Sequence, residues 1–306
     1  MATFCRQIST DHSIISPQVG ANAGAHLDLL KRHKPKPDAR PGLTTPLGAA
    51  IQANDRATMS LVRDAIATRR LRLAYQPVVL TRDTGRIAFH EGLMRVLEPS
   101  GRIIPAREFM EAIEDTELGR QVDCAALEMG LLALAQNPSL RLSLNMSARS
   151  IGYARWVDTL RRGLLLSATV GERLILEITE TSVMALPDIV ILFMEEMQTK
   201  GVAFAMDDFG AGFTAIRYFK DFFFDILKID AQFIRNINAD PDNQALTGAL
   251  IGIGKQFEMF TVAEAVETVE EANFLVGIGV DCLQGYLFGA PTIRPEWARN
   301  SVQKSA

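Results

Sequence analysis

The 306-residue sequence has no surplus of positive charge, few thiols and imidazoles, and no long apolar run. Its formal net charge is −4, so a general basic face for polymeric nucleic acid is not expected. The three cysteines, Cys5, Cys124 and Cys282, are odd in number and lack metal-ligand spacing. They read as free thiols in a reducing compartment. No stretch reaches the ~18 apolar residues of a membrane span, and Met1 to Gly20 lacks a signal-peptide apolar region. The expectation is a cytoplasmic protein with no membrane partner.

What is present is apolar mass. At 48% hydrophobic residues the chain can bury one large core, and a barrel of ~250 residues would use most of it. Residues 1–55 differ from the rest. "KRHKPKPDARPG" (Lys31 to Gly42) mixes bases with prolines between flanks rich in Ala, Ser and Gly. Composition predicts an N-terminal extension over 1–55, flexible or partly helical, with a short helix around Ala25 to Arg32. A single barrel is expected over 56–306.

From Leu71 onward, β-prone runs alternate with amphipathic segments. The runs are "LRLAYQPVVL" (Leu71 to Leu80), "RIAFHEGLMRV" (Arg86 to Val96), "LRLSLNMS" (Leu140 to Ser147) and "RLILEITE" (Arg173 to Glu180). They continue with "GVAFAMDD" (Gly201 to Asp208), "DILKID" (Asp225 to Asp230), "FTVAEAV" (Phe260 to Val266) and "VDCLQGYLF" (Val280 to Phe288). Eight such runs predict an α/β fold, a (β/α)8 TIM-like barrel. An open doubly wound sheet would offer a Gly-rich phosphate loop after its first strand, and none is present. Only "TRDTG" separates the first two runs, too short for a crossover helix. The barrel should therefore have an antiparallel first strand.

The polar residues in or just after these runs form a set: Glu91 and Arg95, Asn145, Glu177, Asp207 with Asp208, Lys228, Glu264 and Gln284. Each lies near the carboxyl end of a run, and in a barrel those ends share one mouth. Taken singly, each has an ordinary structural explanation, such as an ion pair, a strand end or a helix cap. Taken together, five carboxylates at one mouth need counter-charge. Hard divalent cations with oxygen ligands supply it, and zinc would want His or Cys. Glu180 lies three residues after Glu177, so strand alternation turns it away from that face. It reads either as an exposed loop carboxylate or as a brace for the segment "DFGAGF".

"EGLMR", "NMS", "EITE", "DDFGAG", "LKID", "AEAVE" and "QGYLFGAP" occur in that order, with "YQPVV" before them and "GRIIPAREFMEAIEDTELG" between the first two. From about Leu71 to Pro291 the chain thereby resembles the EAL domains, the cyclic di-GMP phosphodiesterases of bacterial signalling. The resemblance implies hydrolysis of cyclic di-GMP to linear pGpG by two Mg²⁺ or Mn²⁺ ions. It assigns one ion to Glu91, Asn145, Glu177 and Asp207, and the second to Asp207, Asp208 and Glu264. It further implies that Lys228 contacts the attacking water and Arg95 a phosphate. Glu180 would stabilise the loop at Phe209 to Phe213, and Gln284 would lie near the substrate. A homodimer assembled near "DDFGAGF" is also implied. The chain departs from the family pattern at Gly92 and Ala265, which replace Ala and Gly, and at Ala211, which replaces Thr; "DFFFD" replaces a stretch that often contains Leu-Pro. A catalytically weak or inactive cyclic di-GMP receptor is the alternative, and a Mg²⁺ barrel enzyme acting through an enolate is a second.

Overall fold

The computed structural model describes residues 46–210 and 222–297. The helix expected near Ala25 to Arg32, and Ala211 with its following residues to 221, lie outside them. The chain divides into two compact units, Met1–Arg56 and Ala57–Ala306. Of the first, only residues 46–56 are described, and they are helical.

Nine strands are described: β1 (Leu71–Leu80), β2 (Asp83–Leu97), β3 (Ile103–Pro105), β4 (Leu142–Asn145), β5 (Leu174–Thr179), β6 (Ala203–Phe209), β7 (Ile226–Ile229), β8 (Phe260–Ala263) and β9 (Cys282–Gln284). The helices are α1 (Pro46–Ala67), α2 (Met110–Ile113), α3 (Glu117–Gln136), α4 (Ala154–Leu164) and α5 (Val170–Arg173). Then come α6 (Glu180–Ala185), α7 (Pro187–Gln198), α8 (Ala231–Ile234), α9 (Pro241–Gln256) and α10 (Val269–Ile278).

The sheet runs β1-β9-β8-β7-β6-β5-β4-β2-β3, and β1 also pairs with β2. Eight strands therefore close into a barrel, with β3 as a short antiparallel appendage on the end of β2. β1 is antiparallel to both β2 and β9, while the remaining barrel neighbours are parallel. The hairpin turn is tighter than "TRDTG" suggests. Leu80 pairs with Asp83, leaving Thr81 and Arg82 at the tip, and a bulge near Val79 absorbs the mismatch. The helical stretch after β3 is also interrupted: a 3-10 turn at Ala106–Glu108 and α2 precede α3, whose N-cap is Thr116.

The pleat explains where the polar groups go. Side chains two apart on a strand share a face. Val78, Phe89, Ile175, Ala205, Ile226, Val262 and Cys282 belong to one buried cluster. This cluster forms a floor inside the barrel. Two residues further toward the mouth stand Gln76 (on the reversed β1), Glu91, Glu177, Asp207, Lys228, Glu264 and Gln284. Outward-facing neighbours such as Leu176, Phe204 and Leu227 join the main core, which α3, α4 and α7 also line.

Gly92 is accounted for by its neighbours. A Cβ there would come within 2.7 Å of Leu144 Cδ2, so the fully packed Leu144 takes the space that an alanine methyl would need.

Candidate active site

The centre of the mouth is an ammonium group among carboxylates. Lys228 Nζ lies 2.7 Å from Glu177 Oε2, 2.7 Å from Glu264 Oε1, 3.0 Å from Asp207 Oδ1 and 3.6 Å from Glu91 Oε2. Lys228 side-chain exposure is 1%. The Asp207 contact is an ion pair without hydrogen-bond geometry, so Oδ1 keeps its acceptor capacity. Burial opposes a charge on Lys228, but Asp207, Glu177, Glu264 and Glu91 outweigh it and hold its pKa well above the ordinary value.

The carboxylates respond differently. Burial pushes Glu264 up to about 8 against the pull of Lys228, and burial with the nearby Glu91 charge drives Glu177 well above its usual range. For Glu91 burial also raises the pKa, yet Lys228 and the amides of Gln284 and Asn145 bring it below normal. Asn145 Nδ2 donates to Glu91 Oε1 at 2.8 Å, and Gln284 Nε2 donates to Glu91 Oε2 at 2.5 Å. Gln284 Nε2 also reaches Gln76 Oε1 at 3.2 Å, and Gln76 Nε2 donates to the Gly289 carbonyl. Gln76 thus belongs to the site, although only its motif was noted in the sequence. Because β1 is reversed, its mouth-facing residue comes before the apolar floor residue rather than after it.

Asp207 and Asp208 are adjacent, so a regular strand would point them to opposite faces. The register between β6 and β7 shifts between Met206 and Phe209, and Asp208 has φ 54°. This left-handed residue brings its carboxylate around to the mouth. Oxygens of Asp207, Asp208 and Glu264 lie within 4.8 Å of one another. Burial, then Asp207, raise the Asp208 carboxyl to about 6. Glu177 Oε1, wholly buried, has no hydrogen-bond partner among the described residues. Asn145 turns its amide nitrogen to Glu91, which leaves its carbonyl oxygen available as a donor to a cation. An all-oxygen donor set with spare buried acceptors fits a hard divalent cation.

Ala265, directly after Glu264, has φ 52°. The left-handed conformation costs a Cβ-bearing residue roughly 1–2 kcal/mol. Ala265→Gly should therefore stabilise the protein by about 1 kcal/mol after the entropy of glycine is deducted, raising Tm by about 2–4 °C. Thermal melting of both proteins checks this, and a lower Tm in the variant would contradict it.

Two sequence expectations need revision. Glu91 stands in the middle of β2 rather than at its end, because β2 continues past the barrel to pair with β3. Glu180 is not a strand or loop residue. It opens α6 after the Thr179 cap, is buried at 4% exposure, and accepts the Gly210 N–H at 3.4 Å through Oε2. Arg95 lies above the barrel rim, where its Nη1 donates to the Met94 carbonyl.

Above the cluster is a cleft of ≈ 300 Å³. Gln76, Glu91, Asp207, Lys228, Glu264 and Gln284 form its base, and Arg235, Glu267 and Tyr286 its rim. Those last three were not singled out in the sequence: Arg235 and Glu267 follow their strands by several residues, and Tyr286 stands just past β9. Gly285 lets the rim close, because a Cβ there would run into the Val266 backbone.

A family model described as EAL domain matches residues 60–291. Over 251 residues the chain is 32% identical to the bifunctional diguanylate cyclase/cyclic di-GMP phosphodiesterase MucR of Pseudomonas aeruginosa, covering 79% of this chain and 36% of that protein. It is 31% identical over 246 residues to the cyclic di-GMP phosphodiesterase NbdA of the same organism, covering 77% and 31%. The chain spans about a third of the length of these curated relatives. The solved structure of the PaMucR phosphodiesterase in complex with c-di-GMP is similar at TM-score 0.70 and 32% identity, over 77% of this chain and 97% of that one.

Proposed function

The chain belongs to the EAL domain family, and from that premise we propose that it hydrolyses cyclic di-GMP to linear pGpG. One observation supports the reading: Glu91, Glu177, Asp207 and Glu264 surround Lys228, Asn145 holds Glu91, and Asp208 lies with Asp207 and Glu264. In this reading Glu91, Asn145, Glu177 and Asp207 hold one cation, and Asp207, Asp208 and Glu264 hold a second, with Mg²⁺ or Mn²⁺ as the metal. When bound, such a pair lowers the pKa of water and neutralises charge on phosphoryl oxygens. Lys228, kept protonated by its carboxylate neighbours, orients the attacking water in line with the departing 3′ oxygen. It also donates to the charge that develops on the phosphoryl group. Arg95 binds a substrate phosphate, for which its guanidinium fork is suited. Gln284 and Gln76 fix the Glu91 carboxylate in its orientation.

The reading extends to a cytoplasmic homodimer. Among the described residues no helix is long and apolar enough to cross a membrane. The test is product analysis with purified protein and cyclic di-GMP in Mg²⁺. Formation of pGpG supports the proposal, whereas tight binding without turnover would make the domain a receptor.

Glu180 is part of the same proposal. It touches none of the donors, yet it holds the N–H of Gly210, two residues after Asp208. Residues that orient metal ligands typically contribute 10- to 100-fold to affinity or rate. Glu180→Ala should lower turnover roughly tenfold and raise the Mg²⁺ concentration required. Rates measured against Mg²⁺ concentration, beside melting curves, check this. Unaltered kinetics would reduce Glu180 to a buried helix-start residue.

A further inference from the structure

Asn145 differs from Glu91, Glu177 and Asp207 in being exposed rather than buried. It is the last residue of the short β4, and its amide nitrogen is turned to Glu91. Its placement therefore depends on the backbone that follows. There three consecutive N–H groups are taken by three different elements. Met146 N–H donates to the Glu177 carbonyl on β5 at 2.9 Å. Ser147 N–H donates to Asp123 Oδ2 on α3 at 3.2 Å, and Ala148 N–H to Ser182 Oγ on α6 at 2.8 Å. Asp123 Oδ2 also accepts the Ser150 hydroxyl at 2.6 Å, so it spans the start of the 3-10 turn at Ala148–Gly152. Asp123 is itself buried, and its neighbours Val122, Cys124 and Leu127 belong to the main core. Burial pushes its carboxyl up to about 6, against the pull of the Ser150 hydroxyl and the Ser147 N–H. A carboxylate in such surroundings costs stability unless it is hydrogen-bonded, and these two bonds both go to one turn.

We propose that Asp123 is a positioning residue for cation binding: from the core-packed α3 it fixes the turn after β4, and with it the Asn145 side chain, Ser182 being the second tie. The inference rests on the two-cation reading and adds what keeps Asn145 in place. The bond to Ser147, two residues past Asn145, sets the direction in which the chain leaves the strand. A turn freed from it would let the Asn145 carbonyl oxygen drift, and Mg²⁺ demands near-ideal ligand geometry. Groups that orient a ligand through hydrogen bonds typically carry 10- to 100-fold in metal affinity or activity. Ser182 extends the same network. It lies on α6, which opens with Glu180, the acceptor of the Gly210 N–H. One short helix thus ties the turn after Asn145 to the segment after Asp208. Asp123 shares no hydrogen bond with Asp207, Asp208 or Glu264 among the described residues, so its effect should fall on the cation assigned to Asn145.

The experiment is titration of the metal-stripped full chain with Mn²⁺ alone, by calorimetry well below the melting temperature, beside thermal melts. Asp123→Ala should weaken one of the two Mn²⁺ equilibria about tenfold and leave the other within about twofold. Asp123→Asn keeps an oxygen toward Ser147 and Ser150 and should restore most of that affinity. Adding Asp123→Ala to Asn145→Ala should cost little more than Asn145→Ala alone, the signature of residues acting as a unit. Hydrolysis by Asp123→Ala should fall at low Mg²⁺ and recover as Mg²⁺ is raised, whereas a general loosening of the fold would not be repaired in this way. Unchanged Mn²⁺ affinity beside a lowered Tm would overturn the proposal and leave Asp123 as a helix-to-turn brace. Equal weakening of both ions, or a loss that multiplies with that of Asn145→Ala, would overturn it as well. Should Asp123→Ala fail to fold, Ser182→Ala removes the neighbouring tie without touching the buried carboxylate. It should show the same loss at one ion, and full affinity for both would overturn the proposal. If the unaltered chain takes up no Mn²⁺, the inference falls together with the two-cation reading; if it takes up two ions and the variants match it, the inference alone falls.

Discussion

Lys228→Met should lower the turnover number at least a hundredfold and yield a protein that melts well below the unaltered chain in the absence of divalent cations. The stability part follows from charge. Lys228 is the ammonium within 3.6 Å of four carboxylates, three of them at 3.0 Å or closer. Removing one partner of a buried ion pair costs ~3–5 kcal/mol, because the charge left behind is neither hydrated nor neutralised. Methionine keeps much of the length and none of the charge. The lysine pKa is raised in the folded state, so its contribution is fully present below the ordinary lysine value and lost only at still higher pH. The lysine itself gives the deficit no pH dependence at neutrality, but the Glu264 carboxyl, at about 8 beside it, does: the deficit should grow as pH rises and the carboxyls left without the ammonium lose their protons. The catalytic part follows from the removed donor, since a preorganised donor to developing charge is worth ~10²–10³ in rate. The two effects separate on adding Mg²⁺, which replaces missing positive charge but not the donor: Tm should recover in part and turnover should not. Near-normal kcat in Lys228→Met would remove the lysine from the mechanism.

Most of the barrel was legible because strand alternation and the spacing of polar residues obey the same period of two. Ile175 with Glu177, Ile226 with Lys228, and Val262 with Glu264 each pair a floor residue with a mouth residue on one strand. The antiparallel first strand followed from a connection too short to cross over. What escaped were the places where backbone conformation departs from the regular strand. The left-handed turn at Asp208 is a φ value, and the same two aspartates on a straight strand would diverge. Ala265 conceals the same conformation behind a residue that does not announce it, where glycine would have done so. Gln76 was overlooked because strand reversal inverts the order of floor and mouth. Glu180 was misplaced because the Thr179 hydroxyl, accepting the Ser182 N–H, ends the strand and starts α6 one residue earlier than the apolar pattern implies. The rim was the least legible part. The segments that carry Arg235 and Glu267 are tied by the Glu271 carboxylate, which accepts the N–H of Asn236, 35 residues away, and no local pattern encodes that.

Removal of divalent cations should abolish hydrolysis altogether. Without them the carboxylates around Lys228 outnumber it, and burial, with neighbouring carboxylates adding to it, raises Glu177 and Glu264 toward the protonated form. A protonated carboxyl is a poor ligand for a cation, so affinity should also fall as pH decreases. The donors are all oxygens, which favours Mg²⁺ and Mn²⁺; Ca²⁺ is larger and less exacting in geometry, and should bind while supporting little turnover. The direct test is to follow conversion of cyclic di-GMP to pGpG in excess chelator, then after addition of Mg²⁺, Mn²⁺ or Ca²⁺. No product in chelator, full restoration by Mg²⁺ or Mn²⁺ and little by Ca²⁺ are predicted. Undiminished pGpG formation in excess chelator would contradict the two-cation site.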